Sequence, residues 1–290
     1  MNYQEQRPYV GNLRQLFGLR ESRLAGGKAD GVIGGSSSIK LYELYFGRDV
    51  TQVEGVTVLA ESSAGKNWNT ENIIAFQPDL IVCSTAMSGY KTISAPAQAA
   101  GIPIVAMSYN DFSDYLKWFK VFCNLNGQPE LWNTVAMPAL DKVVDVLCRI
   151  PENPENAPKV FAMFSATKDN ITANTSNTVL GGMISEMQAV NISDADNTSG
   201  ADRIEINMES VFAANPDMIV VQCHASKEDD AAQLDRVYGG NPVWQSLRAV
   251  KEGKVYFLEP HLFHYKPNSH FAEAYQQLAQ ILYPDIDFEN

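Results

Sequence analysis

NTENIIAFQPDLIVCS (69–84) and NMESVFAANPDMIVVQ (207–222) align without gaps. Seven of the sixteen positions are identical: Asn69/Asn207, Glu71/Glu209, Ala75/Ala213, Pro78/Pro216, Asp79/Asp217, Ile81/Ile219 and Val82/Val220. Ordinary residue usage gives about one such match by chance, so the chain contains one unit twice. In each copy the asparagine can cap a short helix, and the glutamate in its first turn complements the helix dipole. The helix must end before the proline, which pushes the preceding residue out of the right-handed helical region. LIVCS or MIVVQ then supplies a short apolar run rich in β-branched residues, the pattern of a strand covered on both faces. A glycine and a second strand follow in each half: IPIVAMS (102–108) after Gly101 and KVYFLEP (254–260) after Gly253. Helices alternating with such strands predict an α/β fold with parallel sheets, once in each half.

Between the copies the character changes. From Asp111 to Ile150 there is no strand candidate; Phe112–Cys123 and Pro129–Ile150 read as helices, with a kink expected at Pro138. The loop PENPENAPK (151–159) closes this segment, and KVFAMFS (159–165) opens the second half as a strand. The expected organisation is an N-terminal α/β lobe over 1–110, a helical connector over 111–157 and a C-terminal α/β lobe over 158–290. At the front of the chain NLRQLFGLRESRLA reads as a helix and DGVIGG (30–35) as the first strand.

Composition narrows the function. A formal charge of −12 and no dense Lys/Arg cluster argue against binding a phosphate backbone. No apolar run approaches the ~18 residues that cross a bilayer. The first thirty residues carry Arg7, Arg14, Arg20 and Arg23 with no apolar stretch of the signal-peptide kind, so either the protein is cytoplasmic or its export signal lies outside this sequence. The cysteines Cys83, Cys123, Cys148 and Cys223 form no CxxC pair and suit buried packing. GGKADGVIGGSSS (26–38) contains neither a dinucleotide fingerprint nor a P-loop, and a tight turn explains its glycines. No GxSxG or HExxH appears, which fits a binding protein better than an enzyme.

Paired helix–Pro-Asp–strand units joined by a long helix resemble the class III substrate-binding proteins of ABC importers, the receptors for iron–siderophore complexes, haem, vitamin B12 and related corrinoids. WNTENIIAFQPDLIV (68–82), INMESVFAANPDMIVV (206–221) and NPVWQSLRAVKEGKVYFLEP (241–260) carry the resemblance. It departs over the first forty residues, where the family's opening strand is absent or replaced. The resemblance implies two Rossmann-like lobes with parallel sheets joined by a long connecting helix, and a ligand held between them. It implies an extracytoplasmic, lipoprotein-like monomer that is no enzyme, needs no cofactor and hands its ligand to a membrane permease dimer. A bare zinc or manganese receptor, and a chelatase or nitrogenase-like enzyme on the same paired lobes, are the alternatives.

Ligands of open α/β sheets gather beyond the carboxyl ends of the strands. That rule selects Thr85, Tyr90 and Tyr109 in the first half, with Lys66 and Trp68 just before the repeat helix. In the second half it selects Lys168, His224 and His261, with Arg203 and Tyr238 as weaker candidates. Aromatic walls with a few polar groups suit a chelate or macrocycle. His264 also follows a strand, but all four histidines lie in the second half, which fits a bare metal ion poorly because the related metal receptors draw histidines from both lobes. By resemblance to the vitamin B12 receptor, Glu71 and Glu209 are expected to dock on permease arginines; stabilisation of the helix dipole alone would also explain them.

Overall fold

The computed structural model describes residues 30–33, 56–60, 69–78, 80–85, 88–125, 128–152, 154–265 and 267–288. The chain divides into two compact units, Met1–Ala136 and Met137–Asn290.

In the first unit, β1 (Asp30–Ile33) pairs in parallel with β2 (Val56–Ala60). The strand expected at DGVIGG is therefore formed, whereas the helix expected before it lies outside the described residues. The first repeat copy forms α1 (Thr70–Ala75) and β3 (Ile81–Ser84). The Asn69 side chain accepts from the Asn72 N–H at 3.0 Å, as its capping position predicts. α2 (Ser88–Ala99) crosses to β4 (Ile104–Met107), which pairs in parallel with β3. Ile73 of α1, Ile93 and Ala97 of α2, and Ile81 and Cys83 of β3 form one buried cluster. α3 (Phe112–Leu125) completes the described part of the unit.

The helix from Leu131 to Arg149 contains a π-helical turn, Trp132–Ala136, immediately before α4 (Met137–Arg149). Pro138 has no N–H to offer the carbonyl one turn earlier, and the widened turn absorbs that missing bond. The boundary between the two units falls at the end of this π-helical turn.

The second unit is built on a six-stranded sheet. β5 (Lys159–Ser165) is central, followed by β6 (Ile171–Asn174), α5 (Val179–Glu186), β7 (Val190–Asn191) and β8 (Arg203–Ile204). The second repeat copy gives α6 (Met208–Ala214) and β9 (Met218–Cys223). Then come α7 (Lys227–Tyr238), α8 (Pro242–Ser246), α9 (Arg248–Lys251), β10 (Val255–Leu258), α10 (Pro260–Phe263) and α11 (Phe271–Leu282). The strand order is β10-β9-β5-β6-β8, with β7 beside the start of β5. β10, β9 and β5 run parallel, as the repeat predicts. β6 and β8 add an antiparallel edge that the apolar patterning did not announce. The chain reverses through the three residues Thr167–Asp169, closed by the Ala166 N–H donating to the Asn170 carbonyl at 2.9 Å, with Lys168 and Asp169 in left-handed backbone (φ 62° and 54°). One face of the sheet packs Phe161, Met163, Ile219 and Val221 against Leu234 and Trp244; on α4 lies α11, which buries Phe271, Tyr275 and Leu278.

The repeat holds in its punctuation. Gln77 and Asn215, equivalent positions, both adopt left-handed backbone (φ 52° and 47°), so each helix stops on a left-handed residue before its proline. Gly101 and Gly253 (φ 71° and 69°) each close a helix in the same pair of bonds: Ile102 and Lys254 donate back to Ala97 and Ala249, and the glycines donate to Gln98 and Val250. A side chain at either glycine would carry a steric penalty, which is why glycine recurs before the second strand of each half.

Candidate functional site

The parallel strands β5, β9 and β10 of the second unit end on one edge of its sheet, and the segments that follow them converge there. α7 fixes two of these ends. Asp230, 4% exposed, accepts from the N–H groups of His224 and Ala225 at 3.1 and 3.0 Å, and so shapes the turn after β9. One turn further, Gln233 donates to the Ser165 hydroxyl at 2.9 Å and to the Ala166 carbonyl, holding the end of β5. An apolar helix face could not do this, because turn backbone needs polar partners.

On this edge the rings form a contiguous wall. Phe164 stacks on His264 at 5.3 Å between centroids, His264 meets His224 at 4.8 Å and Tyr265 at 4.4 Å, and the Tyr265 hydroxyl donates to the His224 carbonyl. Burial, and secondarily the Asp230 carboxylate, hold the Tyr265 phenol above its usual pKa, so it stays a neutral donor. The Arg203 guanidinium lies 4.0 Å over the Phe164 ring and its Nε donates to Asn174 Oδ1 at 3.0 Å. Asn174 Nδ2 donates to Gln222 Oε1 at 2.9 Å, and Gln222 Nε2 donates to the Phe263 carbonyl. Asn174 is fully buried and Gln222 4% exposed, so this chain of amides crosses the interior of the unit.

Of the residues selected from the sequence, His224 lies in this wall. Lys168 sits exposed at the hairpin turn, whose Asp169 pairs with Arg236 of α7 at 2.8 Å. His261, about one-third exposed, is 4.0 Å from Glu259, which also pairs with Lys227. Tyr238 instead stacks on Trp244 at 5.4 Å, within the packed face of the sheet. In the first unit Thr85 is exposed and tied to the end of β4, its N–H and hydroxyl both donating to the Met107 carbonyl. Tyr109 is buried beside Tyr115, and Tyr90 is half-buried against the Ile73–Ile93 cluster. Lys66 and Trp68 lie outside the described residues. Sequence reasoning passed over Phe164, Asn174, Gln222 and Tyr265. The available signal was polar residues inside buried strands: Gln222 in MIVVQC and Asn174 in ITAN.

Among the described residues no group of three or more His, Cys, Asp or Glu side chains could hold a metal ion, and no helix is long and apolar enough to cross a membrane. Burial pushes the thiols of Cys83 and Cys223 up to about 12 and that of Cys123 up to about 11, which makes them poor nucleophiles at neutral pH.

Residues 46–262 match the family model described as periplasmic binding protein. The chain is 30% identical over 82 residues to the high-affinity haem uptake system protein IsdE of Staphylococcus aureus, which is 28% of this chain and 28% of that protein. It is 23% identical over 197 residues to the putative ABC transporter substrate-binding lipoprotein YhfQ of Bacillus subtilis, 65% of this chain and 58% of that one. The matches thus span less than two-thirds of these curated relatives. The fold is also that of the triscatecholate siderophore binding protein FeuA from Bacillus subtilis, solved with ferri-bacillibactin: TM-score 0.60, 20% identity, 88% of this chain and 84% of that chain.

Proposed function

Because the chain belongs to the periplasmic binding protein family, we propose that it is the receptor of an ABC importer, binding an iron chelate, haem or a corrinoid outside the cytoplasm and delivering it to a membrane permease. The observation that carries this reading is the wall of Phe164, His264, His224 and Tyr265 at the carboxyl edge of a parallel sheet. Flat rings with a few fixed polar groups suit a bulky conjugated ligand, and strand carboxyl ends are where open α/β sheets bind. The haem uptake and siderophore-binding relatives support that ligand class. Lys168 and His261 flank the wall in this reading. Thr85, Tyr90 and Tyr109, with Lys66 and Trp68, form the first unit's contribution. The protein acts as a monomer and a binder, not an enzyme, organised as two lobes with 111–157 as the helical connector.

Delivery requires contact with the permease. Glu71 and Glu209 are both exposed in the first turns of α1 and α6, each beside the asparagine that caps its helix. We assign them to permease docking. A thermal-shift screen with haemin, ferric siderophores, cobalamin, Zn²⁺ and Mn²⁺ tests the receptor function, since a ligand that binds only the native state raises the melting temperature. Stabilisation by an iron chelate, haemin or cobalamin is the expected result. Stabilisation by the bare divalent ions alone would replace this reading with that of a metal-ion receptor.

A further inference from the structure

Ser193 is 5% exposed, and its hydroxyl is buried with no hydrogen-bond partner among the described residues. An unpaired buried hydroxyl is costly, so its surroundings should supply a partner. The residue is held firmly in place. Its N–H donates to Asn191 Oδ1 at 3.2 Å, and Asn191 Nδ2 donates to the carbonyl of the fully buried Asn174 at 2.9 Å. Ser193 lines a small pocket between the 3₁₀ helix Ile192–Asp196 and the start of α6. Asp196, Glu205, Asn207 and Ser210 line it too, with Phe161 as part of an apolar wall. About 10 Å³ is open inside, room for one water-sized guest.

The donors around that space decide the guest. Ser210 Oγ donates its proton to Asp196 Oδ1 at 3.1 Å, which leaves the Ser210 lone pairs and the second Asp196 oxygen available. Asn207 Oδ1 is already taken by the N–H groups of Glu209 and Ser210, at 3.1 and 3.4 Å. No lysine, arginine or histidine lines the pocket, and neither Asp196 nor Glu205 forms an ion pair among the described residues. The amino end of α6 opposes a cation with about half a positive charge at most, against two full carboxylate charges. Carboxylates and hydroxyls are the hard oxygen donors of Ca²⁺, which accepts irregular shells of 6–8 oxygens at about 2.3–2.6 Å. Both acids are exposed, so water completes such a shell. Mg²⁺ demands near-ideal octahedral geometry and loses its water reluctantly, and Zn²⁺ favours nitrogen and sulfur. The pocket shares no residue with the ring wall. Ser210 stands where the first repeat copy has Asn72, so the repeat supplies the helix cap but not this hydroxyl. We propose that Ser193, Asp196, Glu205 and Ser210 form a calcium site that ties the 3₁₀ helix after β7 to the first turn of α6.

The test is a calorimetric titration of the whole, metal-stripped protein with CaCl₂, and separately with MgCl₂, at constant ionic strength. One equivalent of Ca²⁺ should bind with a dissociation constant on the order of 0.1–1 mM, the range of calcium sites in extracellular modules, and roughly tenfold or more tighter than Mg²⁺. Glu205→Gln, at an exposed position and checked by circular dichroism to be folded, should weaken Ca²⁺ roughly 10-fold or more, as the loss of one charged contact implies. Ser193→Ala should weaken it by a smaller factor, about 3- to 10-fold, the value of one neutral contact. The melting temperature of the parent protein should rise in about 10 mM CaCl₂, and that rise should shrink in Glu205→Gln. Neither heat of binding nor a melting shift in about 10 mM Ca²⁺ overturns the proposal. Equal affinities for Ca²⁺ and Mg²⁺, or a Ca²⁺ affinity unchanged in Glu205→Gln, mark simple screening of the net charge of −12 and overturn it too. Each of these results leaves the receptor function standing.

Discussion

Asp230→Ala is the perturbation that most directly joins the fold to the site. The carboxylate is buried in the first turn of α7 and takes both the His224 and the Ala225 N–H groups. Charge-assisted hydrogen bonds contribute about 1.5–3 kcal/mol each, which sets a gross loss of about 3–6 kcal/mol. Two effects reduce it. Ala225 is exposed, so water can replace the carboxylate at its N–H, and removing the side chain also removes a buried charge whose desolvation cost about offsets one bond. The Ser226 cap of α7, which accepts from Asp229 N–H at 3.1 Å, survives the substitution. The net destabilisation should be about 2–3 kcal/mol, with Asp230→Asn, which keeps one acceptor oxygen, losing about half as much. Urea unfolding followed by Trp244 fluorescence in a Trp68→Phe/Trp118→Phe/Trp132→Phe background measures it as a shift of midpoint at constant slope. Amide hydrogen exchange adds a local readout: the His224 and Ala225 amides should lose protection while the β9 interior keeps its own. A loss below 1 kcal/mol with both amides still protected would refute the reasoning, since the turn would then be held by something other than this carboxylate.

Gly181→Ala should be severely destabilising, by about 3 kcal/mol or more in chemical denaturation, because a Cβ there would sit 2.0 Å from the Thr175 carbonyl oxygen, a backbone atom that cannot rotate away. Ellman titration of the native protein at pH 8 should find one reactive thiol, the exposed Cys148, and four after denaturation. The Cys83 and Cys223 thiols are raised in the folded state, so the folded chain holds protons that the unfolded chain has already released. Their contribution to stability is complete below pH 9 and should fall away as the pH rises from 9 towards 12, visible as a declining urea midpoint. Glu71→Lys/Glu209→Lys should bind ligand like the parent protein yet abolish uptake in a reconstituted importer, because like charges would face the permease; full uptake by the double variant would reduce both glutamates to helix-dipole partners.

Which elements exist was legible in the sequence because their signals are local. A capping asparagine, a left-handed stop before proline, a Gly at each helix end and a β-branched run act within a few residues, and repeating them at 69–84 and 207–222 doubled the signal. β5 was expected over Lys159–Ser165 and forms over that span. The antiparallel β6 and β8 were not legible: strands of four and two residues carry too short a pattern, and the hairpin between β5 and β6 uses Lys168 and Asp169 in place of glycine. Strand-end logic likewise reached His224, because position along one strand is enough to place it. It did not single out Phe164, Asn174, Gln222 or Tyr265, whose importance rests on partners 41, 48 or 29 residues away, as in Tyr265 to His224, Asn174 to Gln222 and Arg203 to Asn174. Hydrophobic period and helix punctuation are properties of neighbours along the chain, and they fixed the units. The direction of a guanidinium depends on which buried amides meet across strands, and only the packed sheet brings those together.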